Sequence, residues 1–121
     1  MNMNDFTINE EVASISIDEF HRTDIRIGEI ISVEPIEGSD KLLRLMVSFG
    51  AGEVRQILSG IARYFPDHAV LVGKHVAFVY NLKPRTLMGL ESQGMILAAS
   101  NEEGAFALLE APAAPAGARV G

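Results

Sequence analysis

Apolar and polar side chains alternate along the middle of the chain with the period of two that a half-buried β-strand requires. In the clearest run, Leu43, Leu45, Val47 and Phe49 are apolar, and one residue separates each from the next. Similar runs, several of them rich in β-branched residues, complete the pattern. They predict strands over residues 24–35, 43–49, 54–59, 75–82, 95–99 and 105–109.

Capping and turn residues separate these runs. Ser16, followed three positions later by Glu19, forms a capping box that predicts a short helix beginning at Ile17. The Gly-Ala-Gly sequence at 50–52 predicts a hairpin turn. Residues 61–71 contain a proline and show no clean period, so they accommodate a helical turn at most.

Short strands separated by turns, with little helix, predict an all-β domain. Three strands, a connector and two further strands are the order of a five-stranded OB-fold barrel. We therefore expect such a barrel, with a short N-terminal helix and a C-terminal extension. The expected divisions are an N-terminal arm over 1–14, the barrel over 15–110 and an Ala/Pro-rich tail over 111–121. We expect the tail to pack as irregular chain or to extend into solvent.

Residues 81–95, between two predicted strands, combine features that are typical of a binding loop. Lys83 and Arg85 flank a proline, which holds both cations on a stiff, extended segment and reduces the entropy lost on binding. Gly89 and Gly94 permit sharp turns or the close approach of a ligand. The segment is the first candidate for a functional site.

The formal net charge is −6, which taken alone argues against a nucleic-acid partner. The distribution points the other way, because residues 41–85 carry seven Lys or Arg and only two acids, whereas the flanking segments are acidic. Such asymmetry is a known indication of polyanion binding. Solvated strand faces that favour Lys and Arg would explain the same counts equally well.

The chain has no cysteine, so no disulfide framework or Cys-based metal site is available. The N-terminus lacks the basic start and apolar core of a signal peptide, and no apolar run approaches the length of a membrane span. We expect a cytoplasmic domain without membrane contact.

Residues with catalytic or cofactor-binding patterns are missing from the sequence. The three histidines lack ligand spacing, so no metal site is predicted. Gly73-Lys74 lacks the other residues of a phosphate loop, and Ser92 lies outside a nucleophile-elbow pattern because position 90 is Leu. We therefore expect no enzymatic activity and no cofactor, and interpret the chain as a binding module.

An OB barrel holds single-stranded or irregular nucleic acid against one face and between loops. Arg85 can present a fork to a phosphate or stack on a base, whereas Lys83 acts as a point charge. Asn81 either reads a base edge or holds the loop's own backbone. Ser92 offers a hydroxyl to phosphate or sugar, and Met95 packs under a base or, more simply, in the core. Few aromatic rings are free to stack, which favours recognition of RNA shape.

Five blocks of the sequence resemble the EMAP II-like tRNA-binding domain, most closely the C-terminal domain of bacterial methionyl-tRNA synthetase and its free-standing relatives. The blocks are DIRIGEI at 24–30, GSDKLL at 38–43, RQILSGI at 55–61, NLKPR at 81–85 and ESQGM at 91–95. The resemblance implies an OB-fold, shape-directed tRNA binding, homodimerisation and association with methionyl-tRNA synthetase. It also implies RNA contacts at Asn81, Lys83, Arg85, Ser92 and Met95, with Lys41, Arg44 and Arg55 as supporting cations.

Two other functions remain open. A secretion-type chaperone of the same fold would bind unfolded polypeptides through exposed apolar surface, although its loop lacks the Ser-Gln-Gly-Met run found here. A purely structural domain would dock a synthetase complex and have no affinity for RNA.

Overall fold

The computed structural model of the chain describes residues 12–121. Short strands dominate this part of the chain, together with one α-helix and two 3₁₀ turns. The helix α1 is Ile17–Phe20, and the 3₁₀ turns are Ala62–Tyr64 and His68–Leu71. The strands are β1 Ile25–Pro35, β2 Leu43–Ser48, β3 Val54–Ser59, β4 His75–Val79, β5 Arg85–Leu87, β6 Leu90–Ser92, β7 Met95–Ile96, β8 Ala98–Ser100, β9 Phe106–Leu108 and β10 Arg119–Val120.

The main sheet has the antiparallel order β3-β2-β1-β4-β7, with β1 at its centre. The first half of β1 pairs with β4 and the second half with β2. The register shifts between Ile30 and Ser32, which is a bulge that bends the strand and increases its twist. The sheet therefore curls into an OB-like barrel, and the predicted all-β class is confirmed.

The inner face of the barrel carries the apolar positions that the alternation predicts. In β2, Leu43, Leu45 and Val47 are buried and the residues between them are half-exposed. The remaining buried members of the core are Ile30, Phe49, Ile57, Ile61, Leu71, Val76, Phe78, Ile96 and Leu108. The connector contributes Ile61 and Leu71 to the core and forms two short 3₁₀ turns, where the sequence predicted one helical turn at most.

The N-terminal helix begins where the capping box predicts. The Glu19 N–H donates to Ser16 Oγ at 3.0 Å, and the Ser16 N–H donates to Glu19 Oε1 at 2.8 Å. Most of the predicted arm, residues 1–11, lies outside the described residues. In residues 12–121, no helix is long and apolar enough to cross a membrane.

Two predicted strands differ in extent and pairing from those observed. The strand predicted over 75–82 ends at Val79. The Tyr80 N–H still donates to the Asp24 carbonyl at 2.7 Å in the register of the ladder, but the Asp24 N–H donates to Asn81 Oδ1 instead of returning a bond to Tyr80. The strand predicted over 95–99 divides at Leu97 into β7 and β8. β7 belongs to the barrel, whereas β8 pairs with β9 in a separate two-stranded sheet.

The prediction of an irregular or extended tail is wrong for residues 117–120. The Gly117 N–H donates to the Ile27 carbonyl at 2.7 Å, and the Ile27 N–H donates to Ala118 at 2.8 Å. β10 then pairs with β1, with Val120 opposite Ile25. The tail occupies an edge of β1 that β2 leaves unpaired, so long-range hydrogen bonds override its Ala/Pro-rich composition.

Gly28 in β1 lies where core side chains converge, and this generates a stability prediction. A Cβ at this position would lie 2.5 Å from Val47 Cγ1 and 2.9 Å from Phe49 Cε1. We expect Gly28→Ala to lower the free energy of unfolding by about 1–3 kcal/mol, because buried neighbours must move. Urea unfolding measures the change. Gly60→Ala is the matched control, since no atom lies within 4 Å of its added Cβ. An equal loss in both variants would contradict the packing explanation.

Candidate nucleic-acid interface

Residues 81–95 leave the barrel after β4, form a small hairpin and return as β7. β5 and β6 pair antiparallel, with Arg85 opposite Ser92. Met88, with φ 51°, and Gly89, with φ 78°, form the two-residue turn and have the left-handed backbone that such tight hairpins need. The predicted loop therefore contains an ordered hairpin, which sets the direction of the chain at Arg85.

Ser92 and Gln93 close the barrel between β3 and β7. The Leu58 N–H donates to Ser92 Oγ at 3.0 Å, and the Gln56 N–H donates to Gln93 Oε1 at 3.2 Å. The Gln93 N–H returns a bond of 2.8 Å to the Gln56 carbonyl. Ser92 is buried and its hydroxyl also donates to the Gly94 carbonyl, at 3.3 Å. These bonds satisfy backbone groups at an edge that would otherwise be open. Contact between Ser92 and RNA stays a prediction.

Gln56 connects this seam to Arg44. Its Nε2 donates to the Glu91 carbonyl at 2.7 Å, and its Oε1 accepts from Arg44 Nε at 2.6 Å. Arg44 also forms an exposed ion pair of 2.9 Å with Glu34. Exposed pairs are weak and screened by salt. The bonds to Gln56 and Glu34 therefore orient the Arg44 guanidinium, and its positive charge stays accessible to a polyanion.

Both polar atoms of the Asn81 side-chain amide form hydrogen bonds with the backbone of another segment. The Asp24 N–H donates to Asn81 Oδ1 at 2.9 Å, and Asn81 Nδ2 donates to the Arg22 carbonyl at 2.7 Å. Of the two roles considered from the sequence, the structure favours a backbone-holding one. The backbone concerned is the link between α1 and β1, not the loop's own. A contact with a base stays a prediction.

Tyr80 lies between two guanidinium groups. The Cζ atoms of Arg26 and Arg55 are 3.9 and 3.6 Å from the ring centroid, and two groups this close fit only on opposite faces. Arg55 Nη1 also donates to the Tyr80 carbonyl at 2.7 Å, and its Nε pairs with Glu53 at 3.0 Å. Arg55 is therefore bound on several sides, and both faces of the tyrosine are covered.

The charged groups around Tyr80 stabilise one another's ionisation. The Tyr80 hydroxyl donates to Glu53 at 2.6 Å and, together with Arg55, holds the pKa of that carboxyl below its usual range. The same hydrogen bond raises the pKa of the Tyr80 phenol. Arg26 donates twice to Asp24 and lowers the pKa of that carboxyl. Both carboxylates are therefore charged at neutral pH.

The predicted site residues fall into two groups. Asn81, Ser92, Arg44 and Arg55 bond to other parts of the protein, as described above. The second group, Lys41, Lys83, Arg85 and Met95, is exposed, with Met95 47% exposed. Within residues 12–121, the three cations of this group make no side-chain hydrogen bond or ion pair. They are the members of the predicted set whose charge is unpartnered in this part of the chain.

The sequence did not predict that Arg55 is bonded to Glu53 and to the Tyr80 carbonyl, or that Arg26 and Arg55 pack on the Tyr80 ring. A signal was present, because Asp24 precedes Arg26 by two positions and Glu53 precedes Arg55 by two. Residues two apart on a strand share a face, so each spacing predicts an ion pair along the strand. Both pairs exist, at 2.9 and 3.0 Å.

An OB-like barrel that presents exposed cations beside an ordered hairpin belongs to a class of modules that hold nucleic acids against one face. The family described as "Putative tRNA binding domain" matches residues 25–119. The chain belongs to this family, and its domain is a non-catalytic binding module. The resemblance read from the five sequence blocks is thereby confirmed.

The chain is similar to a part of several methionine-tRNA ligases. The enzyme of Caldanaerobacter subterraneus subsp. tengcongensis is 48% identical over 103 residues, which is 85% of this chain and 16% of that protein. That of Methanoculleus marisnigri is 53% identical over 89 residues, which is 73% of this chain and 13% of that protein. The chain thus spans a small part of the length of the curated relatives that it matches.

Among solved structures, a MetRS related protein from Pyrococcus horikoshii matches with a TM-score of 0.83 and 40% identity. The match covers 90% of this chain and 99% of that one. The CsaA chaperone from Bacillus anthracis str. Ames matches with a TM-score of 0.78 and 24% identity, covering 90% of this chain and 100% of that one. At that identity the likeness shows a shared fold alone.

Because the buried Ser92 hydroxyl accepts a β3 amide, we expect Ser92→Ala to lower the free energy of unfolding by about 1–3 kcal/mol. The Leu58 N–H would lose its acceptor in a site that water does not reach. Urea unfolding measures the loss, and Ser100→Ala, at an exposed serine, is the control. Equal stability of Ser92→Ala and the control would show that the seam does not depend on this hydroxyl.

The lowered pKa of Glu53 predicts a pH dependence. A carboxyl whose folded-state pKa lies below its ordinary value of 4.5 stabilises the fold above that value, and the contribution disappears as the pH falls through the folded-state pKa. Tyr80→Phe removes the main cause of the shift. We therefore expect its stability deficit to be largest above the ordinary value of 4.5 and to shrink as the pH falls below it. Urea unfolding at several pH values measures this, with Tyr64→Phe as control. A deficit independent of pH would contradict the assignment.

Proposed function

We propose that this domain binds tRNA by its shape and raises the local concentration of tRNA for a methionyl-tRNA synthetase. The observation that carries the proposal is the pair of exposed cations Lys83 and Arg85, which form no ion pair within residues 12–121 and lie on a proline-stiffened segment that continues into the hairpin. Cations whose direction is set before binding cost less entropy on association. The membership of the tRNA-binding family supports the choice of ligand.

Lys41, Lys83 and Arg85 are the proposed phosphate contacts. The hairpin tip supports the inclusion of Lys41, because Met88 Cε lies 3.4 Å from the position of a Cβ on Gly38, in the turn that leads to Lys41. The hairpin and this turn therefore adjoin. Arg44 is a supporting cation, and Met95 offers an exposed apolar contact to a sugar or a base.

The other predicted site residues act through positioning. Asn81 ties the start of the Lys83 segment to the backbone that links α1 and β1, and Arg55 holds the Tyr80 carbonyl just before that segment. Ser92 holds the seam from which the hairpin projects. Direct contacts of these three with RNA remain predictions.

The scarcity of free aromatic faces supports recognition of shape rather than of a single-stranded sequence. Arg26 and Arg55 cover both faces of Tyr80. One face of Tyr64 is stacked on Phe106, with the ring centroids 3.9 Å apart. A platform for successive bases needs several open rings, whereas a folded RNA is held through its phosphates and outline.

A second binding site tethered to a catalytic partner strengthens the hold on tRNA without new contacts at the active centre. Any ligase activity then resides in a longer protein or in a complex. The cytoplasm, where a synthetase works, is the proposed location.

Homodimerisation is the proposed assembly, with the N-terminal arm and the Ala/Pro-rich tail as candidate contact segments. Val120 in β10 is 41% exposed and leaves apolar surface at the edge of the barrel. Sedimentation equilibrium measures the assembly directly, and a monomer at micromolar concentration would remove this part of the proposal.

Lys83→Ala and Arg85→Ala should each weaken tRNA binding and reduce the slope of log affinity against log salt by about one, because each removes one phosphate contact. A salt-titrated gel shift measures both quantities. Lys74→Ala is the matched control, since Lys74 is already paired with Glu110 at 3.2 Å. Unchanged affinity and slope in both test variants would contradict the site.

The same gel shift with an unstructured RNA of equal length separates the remaining alternatives. Shape recognition predicts weaker binding of this RNA than of tRNA. A chaperone would instead bind unfolded polypeptide in a manner that survives high salt, and a purely docking domain would bind neither RNA.

A further inference from the structure

A cleft of about 540 Å³ opens beside Lys83, at the end of the barrel where β4 finishes and β3 begins. This volume falls within the range of about 300–1,000 Å³ that is usual for small-molecule sites. The cleft is lined by apolar groups, two cations, two carboxylates, two amides and a tyrosine. They include Val54, Leu82, Pro84, Arg55, Asp24 and Glu53.

The apolar lining is unusually exposed for aliphatic side chains. Val54 is 47% exposed and Leu82 is 45% exposed, and Pro84 adds a rigid ring beside them. Water against such surface is released when a flat apolar group covers it, which favours binding. The cleft therefore offers an apolar wall to a planar ligand.

Arg55 provides a second, planar wall. One face of its guanidinium lies on Tyr80, with Cζ 3.6 Å from the ring centroid, and the residue also lines the cleft. Its bonds to Glu53 and to the Tyr80 carbonyl hold the plane in a fixed orientation. Guanidinium planes stack on nucleobases, and a fixed plane loses little entropy in doing so.

The carboxylates decide which part of a nucleotide enters. Glu53 and Asp24 both line the cleft, and both have pKa values below their usual range, so they carry negative charge at neutral pH. Each is paired with an arginine, so its charge is locally compensated, but its oxygens only accept hydrogen bonds and therefore offer none to a phosphate, whose oxygens also accept. A base amino group would instead donate a hydrogen bond to Glu53, whose side chain is 40% exposed and keeps acceptor capacity. The phosphate is then left at the rim, where Lys83 lies.

We propose that this cleft takes one unstacked nucleotide of the bound tRNA. Its base lies between Arg55 and the wall formed by Leu82 and Pro84, its amino edge faces Glu53, and its phosphate contacts Lys83. Guanine, adenine and cytosine carry an exocyclic amino group, whereas uracil offers only its ring N3–H, so the site favours the first three. This inference rests on the proposed function, and it adds a base contact to recognition that otherwise depends on phosphates.

The first experiment titrates the ¹⁵N-labelled full chain with the four nucleoside 5′-monophosphates and follows the amide resonances of Val54 and Gln93. We expect GMP, AMP and CMP to shift these resonances at millimolar concentration and UMP to shift them less. Ribose 5-phosphate, which lacks a base, should affect only the neighbourhood of Lys83. No shift with any nucleotide, or equal shifts with ribose 5-phosphate, would overturn the proposal.

A cationic ligand is the competing occupant, because the cleft contains two carboxylates. N-acetyl-lysine methylamide tests it as a probe of a lysine from a partner protein. Larger shifts of the Val54 resonance with this probe than with GMP would overturn the nucleotide assignment. Shifts confined to the nucleotides would support it.

The second experiment measures tRNA binding by Leu82→Ala. We expect a loss of affinity of roughly 3- to 10-fold, because one wall of the base site is removed. The salt slope should stay unchanged, since no charge is altered. Val72→Ala is the matched control, at an aliphatic side chain that is 50% exposed and does not line the cleft. Equal affinities of the two variants would count against the base contact.

The two experiments distinguish failure of the cleft from failure of the function. If the wild-type chain binds tRNA but Leu82→Ala equals the control and no nucleotide shifts the cleft resonances, the inference fails and the proposed function stands. If nucleotides bind in the cleft but tRNA does not bind the chain, the proposed function fails and the tRNA assignment of the cleft fails with it.

Discussion

The seam between β3 and β7 is the interaction on which the binding surface depends. The side chains of Ser92 and Gln93 accept hydrogen bonds from the backbone N–H groups of Leu58 and Gln56 in β3. These bonds take the place of the backbone ladder that would otherwise join the two strands. The hairpin β5–β6 projects directly from this seam, and Gln56 ties it further through the Glu91 carbonyl. A change at the seam therefore alters barrel closure and the position of the hairpin together.

Charge is distributed so that an acidic chain can still present a cationic surface. Its formal net charge is −6, yet the acids at Glu53 and Asp24 are matched locally by Arg55 and Arg26. Lys83 and Arg85 stand beyond this compensated cluster, without partners in the described part of the chain. A polyanion responds to the local field within about a Debye length, of order 8–10 Å, rather than to the total charge. Net acidity is thus compatible with the proposed binding.

Sequence reasoning succeeded where the physics is local. The alternation at Leu43, Leu45 and Val47 identified the buried face of β2, and the Ser16–Glu19 box identified the helix start. The resemblance of five sequence blocks identified the family. It failed at the tail, because a strand of two residues paired to β1 has no local signature. It also treated Ser92 as a surface group, although hydrogen bonds across the seam bury it.

The sequence by itself therefore determined the main barrel strands and their buried faces, the start of α1, the family and the set of residues from which a binding site is drawn. Only the tertiary structure decided which of those residues already form hydrogen bonds within the protein and which are exposed. The deciding hydrogen bonds join residues far apart in the chain, 25 positions between Arg55 and Tyr80, 34 between Leu58 and Ser92 and 59 between Asn81 and Arg22. A side chain's partners across such separations depend on how the sheet closes, and no local pattern encodes that closure.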